Sequence, residues 1–176
     1  MTTHSKKFHP DKCQVFAITK KKTQIKKNYN LHGHTLEHVP SAKYLGVTIT
    51  SDLKWESHVT NISQKANKTI GFLKRYLNIY NGKIKEKAYI SLVRPTVEYA
   101  SPVWDPYLKK DKYKIEMVQR RAARYVTNRY HNKSLVNDML KNLKWQTLEE
   151  RRTNARLTML YKIKKTKKSI SRQITN

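Results

Sequence analysis

The apolar residues of this chain change their spacing once, close to Trp55, and that change decides which architectures are open to it. Before it they alternate. Val15, Ala17 and Thr19 interleave with Phe16 and Ile18, and from Lys43 to Thr50 the residues Leu45, Val47 and Ile49 face away from Tyr44, Gly46, Thr48 and Thr50. A period of two is that of a strand with one face buried. After Trp55 the residues Val59, Ile62, Ala66, Ile70, Leu73 and Leu77 recur every three or four positions, the stripe of a helix packed on one side. A second helical stretch, Ile84 to Val93, follows a break around Asn78 to Gly82, and Pro95 is expected to end or kink it. A third, from about Asp111 to Val126, turns Ile115, Val118, Ala122 and Tyr125 inward. Between these two, Glu98 to Pro106 reads as a packed connection stiffened by its prolines. Ser134 to Leu143 suggests a short helix, and Thr147-Leu148-Glu149-Glu150 is a capping box that opens a last helix toward Lys165. Near the start, Lys20-Lys21-Lys22 makes a basic turn into a strand-like run from Gln24 to Leu31. The expected class is α+β, a small antiparallel sheet at the N-terminus followed by a helical bundle. A boundary near Ser51 to Lys54 assigns residues 1–52 to the β part, 53–165 to the helices and 166–176 to a basic tail that should fray.

Charge then limits what such a fold can do. Lys and Arg number 38 against 12 Asp and Glu, a formal net charge of +26 on 176 residues. So large an excess repels itself unless a polyanion shares the space, which points to nucleic acid. Lys65, Lys68 and Arg75 on the first helix, and Arg120, Arg121 and Arg124 on the third, fall outside the apolar stripes and are the candidate phosphate contacts. No two of the aspartates Asp11, Asp52, Asp105, Asp111 and Asp138 lie within a few residues of each other, whereas two-metal phosphoryl transfer needs carboxylates that converge. Such a chain is better equipped to hold a polynucleotide than to join or cut one. His34-Thr35-Leu36-Glu37-His38 spells the H-x-x-E-H of some zinc peptidases, but that chemistry needs a helix, and Gly33 and Pro40 bracket the segment. No metal site is expected. Trp55, Trp104 and Trp145 read as packing anchors, and His4, His9 and His58 as surface or capping residues. A lone Cys13 closes no internal disulfide, Met1 to Phe8 lacks the apolar core of a secretory signal, and no run reaches the roughly 18 apolar residues of a membrane span. The expected location is intracellular, nuclear or cytoplasmic; nothing in the sequence fixes an oligomeric state.

Three stretches, in order, resemble the C-terminal part of the reverse transcriptase of non-LTR (LINE-type, jockey-like) retrotransposons. They are His9-Pro10-Asp11-Lys12-Cys13-Gln14-Val15; Lys43-Tyr44-Leu45-Gly46-Val47 leading to Leu53-Lys54-Trp55-Glu56-Ser57-His58; and Val93-Arg94-Pro95-Thr96-Val97-Glu98-Tyr99-Ala100-Ser101 with Pro102-Val103-Trp104-Asp105-Pro106, then Gln119 to Val126. The resemblance implies that Lys12 is a palm lysine near the incoming nucleotide's phosphates, able to act as a general acid if its surroundings lower its pKa. It implies that Tyr44, Leu45 and Gly46 belong to a primer grip, where a glycine lets a backbone approach a phosphate. The helices after Trp55 would be a thumb that tracks an RNA–DNA template-primer duplex or RNA. The family's Tyr-x-Asp-Asp hairpin has no counterpart here, so the chain is expected to begin after it and to be unable to polymerise alone. No cofactor is expected for this part, Mg²⁺ belonging to a full-length polymerase. The readings that compete are a stand-alone basic RNA-binding or architectural protein and a zinc hydrolase.

Overall fold

In a computed structural model the described residues are 8–19, 27–77, 80–131 and 135–174, with side chains described as far as residue 166. The chain divides into two compact units, Met1–Ser57 and His58–Asn176. It is mixed α+β, with short strands in the first unit and helices after them. The Lys20 to Lys22 turn, the start of the run at Gln24, Asn78 and Ser134 lie outside the described residues.

The first unit holds strands β1 (Gln14–Phe16), β2 (Asn30–Leu31), β3 (His34–Thr35), β4 (Glu37–Val39), β5 (Ser41–Tyr44) and β6 (Val47–Thr50). They pair two by two: β2 with β3 and β5 with β6 antiparallel, β1 with β4 parallel. Both antiparallel pairs close on two residues of positive φ, His32 and Gly33 at 50° and 82°, Leu45 and Gly46 at 45° and 83°. Such turns carry the right-handed twist of the strands they join. Lys43 to Thr50 is therefore a hairpin rather than the single strand its alternation suggests. Leu45 leaves the buried face for the exposed tip, and Tyr44 pairs with Val47, so the two share a face that the one-strand reading separates. His34 and His38 lie on β3 and β4, not on a helix, and His38 Nε2 sits 2.9 Å from the Lys27 carbonyl.

The Asp52 carboxylate closes this unit's last turn. It accepts from the Lys54 backbone N–H at 3.1 Å and lies 2.8 Å from the Thr50 hydroxyl. Those two bonds, Thr50's first, hold its pKa down to about 2 from an ordinary 3.8.

The second unit is built on α1 (Glu56–Tyr76), whose inward stripe is Val59, Ser63, Ala66, Ile70 and Leu73. His58 is also buried, edge-on to Trp104 at 5.1 Å between ring centroids, which corrects its assignment to the surface. α2 (Gly82–Ala88) passes through a π-helical turn, Tyr89–Val93, into α3 (Arg94–Glu98). Pro95 has no N–H for the carbonyl four residues back and its ring crowds that carbonyl. The helix widens one turn earlier, Arg94 N–H reaching the Tyr89 carbonyl, and runs on past the proline to Glu98. Ala100, left-handed at φ 52°, then redirects the chain into α4 (Ser101–Trp104). Trp104 is fully buried, and its indole N–H donates to the Tyr99 carbonyl at 2.7 Å.

α5 (Lys109–Thr127) buries Ile115, Val118, Ala122 and Tyr125, the inward set its sequence spacing gives. α6 (Val136–Asn142) packs Val136 and Met139 on Ala123. The capping box of α7 (Leu148–Ile174) is made in both directions, Glu150 N–H to Thr147 Oγ1 and Thr147 N–H to Glu150 Oε2, each at 3.1 Å. This helix continues to Ile174, beyond the Lys165 end that the sequence pattern gives. Buried Gln119 ties three elements together, accepting from the Tyr89 hydroxyl at 3.3 Å and donating to the Gln146 carbonyl at 2.8 Å. Burial pushes the Tyr89 phenol up to about 12.

α7 is held by ion pairs. Arg152, with no exposed side-chain surface, donates from Nε to Asp105 Oδ1 at 2.9 Å, and Arg156 takes the other oxygen at 2.8 Å. Arg151 grips both oxygens of Glu98. Removing one partner of a buried pair strands the other charge. Asp105→Ala should therefore lower unfolding free energy by about 3 kcal/mol, read from the urea midpoint of the second unit. Asp52 gives a pH prediction of its own. Its depressed pKa makes a contribution that is complete above 3.8 and is lost as pH falls toward 2, so Asp52→Asn should flatten the acid side of the first unit's stability profile.

Candidate nucleic-acid interface

The candidate residues fall on both units. Lys12 ends a 3-10 turn, Pro10–Lys12, and its side chain is exposed. Tyr44 and Leu45 are 68% and 72% exposed on the hairpin, with Gly46 beside them. Leu45 is unusual there, since a branched apolar side chain in left-handed backbone is costly and gains nothing from burial.

In the second unit Lys65, Lys68 and Arg75 are exposed on the side of α1 opposite its buried stripe. On α5 Arg121 is exposed and Arg120 and Arg124 are half-buried. The two helices run in the same direction: Lys114 donates to the Thr60 hydroxyl at 2.9 Å near their starts, and the Tyr125 hydroxyl donates to the Leu73 carbonyl at 3.3 Å near their ends. This juxtaposition brings Lys74 up to Arg121 and Arg124. Partial desolvation lowers the Lys74 pKa most, and the charges of Arg121 and then Arg124 lower it further. Its Nζ stands 4.7 Å from the Tyr130 ring centroid. Lys85, 6% exposed, donates to Asn128 Oδ1 at 2.6 Å and lies 5.1 Å from the centroid of Tyr125.

Lys74 was invisible to the pattern because it stands one residue after buried Leu73, at the margin of the stripe. Only the neighbouring helix makes it part of a cluster. Nothing comparable links Lys65 or Lys68 to the arginines of α5.

Six carboxylates of the second unit are engaged elsewhere. Glu98 pairs with Arg151, Asp105 with Arg152 and Arg156, and Glu149 with Lys112. Glu86 accepts from the Trp145 indole, Glu116 from the Glu149 backbone N–H, and Glu150 completes the capping box. Burial raises the Glu116 pKa, whereas the Lys112 ammonium lowers that of Glu149. Among the described residues, Lys65, Lys68, Lys74, Arg75, Arg120, Arg121 and Arg124 form no ion pair. No group of three or more His, Cys, Asp or Glu able to hold a metal ion occurs among the described residues, and no helix there is long and apolar enough to cross a membrane.

No protein-family model matches the chain, and no solved structure matches it. Two curated proteins of Drosophila melanogaster do. One is a putative 115 kDa protein in the type-1 retrotransposable element R1DM, 29% identical over 75 residues, which are 41% of this chain and 7% of that protein. The other is a probable RNA-directed DNA polymerase from transposon BS, 27% identical over 101 residues, 56% of this chain and 11% of that protein. The chain thus matches only about a tenth or less of each relative's length, and its similarity is to retrotransposon polymerase-related sequence.

The strain at the hairpin tip can be measured. Asn tolerates left-handed backbone far better than Leu, so Leu45→Asn should stabilise the first unit by about 1 kcal/mol, checked by its urea midpoint.

Proposed function

We propose that this chain is part of a retrotransposon RNA-directed DNA polymerase, one that holds template-primer nucleic acid through a primer-grip hairpin and thumb-like helices. The observation that carries the reading is the partition of charge in the second unit. Carboxylates pair with the cations around α3, α4 and the start of α7, while α1 and the end of α5 keep theirs without an ion pair. Helices suit the task because their outer faces offer Lys and Arg at intervals of three and four residues to successive phosphates. In the hairpin, Tyr44 would lie along a sugar and the Gly46 backbone would come close to a phosphate. Lys12 would act near the incoming nucleotide's phosphates. The similarity to the transposon BS and R1DM proteins supports the polymerase origin.

The chain's own part is binding rather than phosphoryl transfer. Asp105 is occupied by two arginines, Asp52 closes a turn and Asp111 is buried, so none of these three is placed for a shared metal. The Asp-Asp hairpin and its Mg²⁺ would come from the rest of such a polymerase. A stand-alone basic RNA-binding protein is the second reading, favoured by the exposed Phe72 and Tyr76 rings, 4.5 Å apart, on which unpaired bases could stack. Either role places the chain inside the cell.

Binding of a fluorescent RNA–DNA hybrid, compared with single strands of the same length, separates the two. The hybrid should bind more tightly, with affinity falling steeply as salt rises. Arg120→Ala and Arg124→Ala should each make the logarithmic salt slope shallower by about one. A flat salt dependence in the wild-type chain would sink the proposal, and tighter single-strand binding would favour the second reading.

A further inference from the structure

The ends of α1 and α5 gather more positive charge than packing requires. The bond from the Tyr125 hydroxyl to the Leu73 carbonyl fixes the two helices side by side at that level. Lys74 follows Leu73 directly, Arg124 precedes Tyr125, and Arg121 lies one turn earlier on the same helix. Lys85 sets another ammonium against the Tyr125 ring. Partial burial first, and then the charges of Arg121 and Arg124, weaken the hold of Lys74 on its proton. Two helix C-termini converge here, each worth roughly half a negative charge, which offsets only part of the excess. Among the described residues no carboxylate pairs with Lys74, Arg121 or Arg124.

The missing counter-charge must accept from several directions at once, because two guanidinium forks and an ammonium reach it from two helices, a spread that tetrahedrally arranged oxygens suit better than those of a planar carboxylate. A phosphate group meets that need, and arginine forks match its geometry. We propose that Lys74, Arg121 and Arg124 form a binding site for a single phosphate group, with the Tyr130 ring as its wall. The inference rests on the function proposed above only for the phosphate's source, a diester of a nucleic-acid backbone rather than free phosphate. The buried ammonium of Lys85, held by Asn128 and set against the Tyr125 ring, adds positive charge nearby.

Two titrations of the full chain test it. Inorganic phosphate is followed by backbone amide NMR, and an RNA–DNA hybrid by fluorescence anisotropy across a salt series, for the wild type and for Lys74→Gln/Arg121→Gln/Arg124→Gln. Phosphate should shift the amides of Lys74, Arg121, Arg124 and Tyr130 saturably in the wild type and not in the variant. The hybrid's logarithmic salt slope should become shallower by two to three units in the variant, about one per cation. If circular dichroism shows that the triple variant has lost its helices, Lys74→Gln alone serves, with an expected change of about one unit. Absence of saturable shifts at these residues overturns the site even if the wild type binds the hybrid steeply. Saturable shifts with an unchanged slope overturn the backbone source. Saturable shifts with a flat wild-type slope sink the nucleic-acid reading and leave a site for free phosphate.

Discussion

Arg152 puts a guanidinium where no water reaches it, and the second unit is arranged around that fact. A buried cation is tolerable only beside an anion, so Asp105 must come to it, and α4 is thereby fixed against α7. Arg156 shares the same carboxylate, and Arg151, the residue before Arg152, takes Glu98 at the end of α3. In a chain with 12 acidic residues, committing Glu98 and Asp105 to this junction has an effect elsewhere. The cations of α1 and of the end of α5 are left without carboxylate partners.

Stability and the proposed phosphate site are thus opposite sides of one distribution. At the junction, opposite charges hold α7 to α3 and α4. At the other place like charges face one another, stabilised in part by peptide dipoles and by the rings of Tyr125 and Tyr130. Net charge alone suggests a polyanionic partner but no position for it. The helix pairing supplies the position proposed for it, because it sets Lys74 beside arginines that are distant in sequence.

Local rules were legible from the residues. The capping box of α7 lies within four positions, and the inward set of α5 repeats at helical spacing, so both could be read without the fold. Features that depend on two segments could not. The run from Lys43 to Thr50 alternates as well across a two-residue reversal as along one strand, and only the positive φ of Leu45 and Gly46 separates the cases. His58 looks like a surface residue until Trp104, far along the chain, covers it. Lys74 has no distinguishing neighbour in sequence at all. The candidate hairpin was legible by resemblance, whereas its strained tip was not.

The π-helical turn before Pro95 does more than accommodate a ring. Tyr89, Val93 and Val97 are all buried and stand four residues apart, a spacing that in a regular α-helix would rotate roughly 80° over the eight residues and carry one end of the row toward solvent. Widening the helix by one residue unwinds that drift and keeps the three in line. A regular α-helix of the same length would lose that alignment: the buried row would drift round the helix, and Glu98, which meets Arg151, would be carried round with it. The irregularity is what keeps this segment in phase with the helices it packs against.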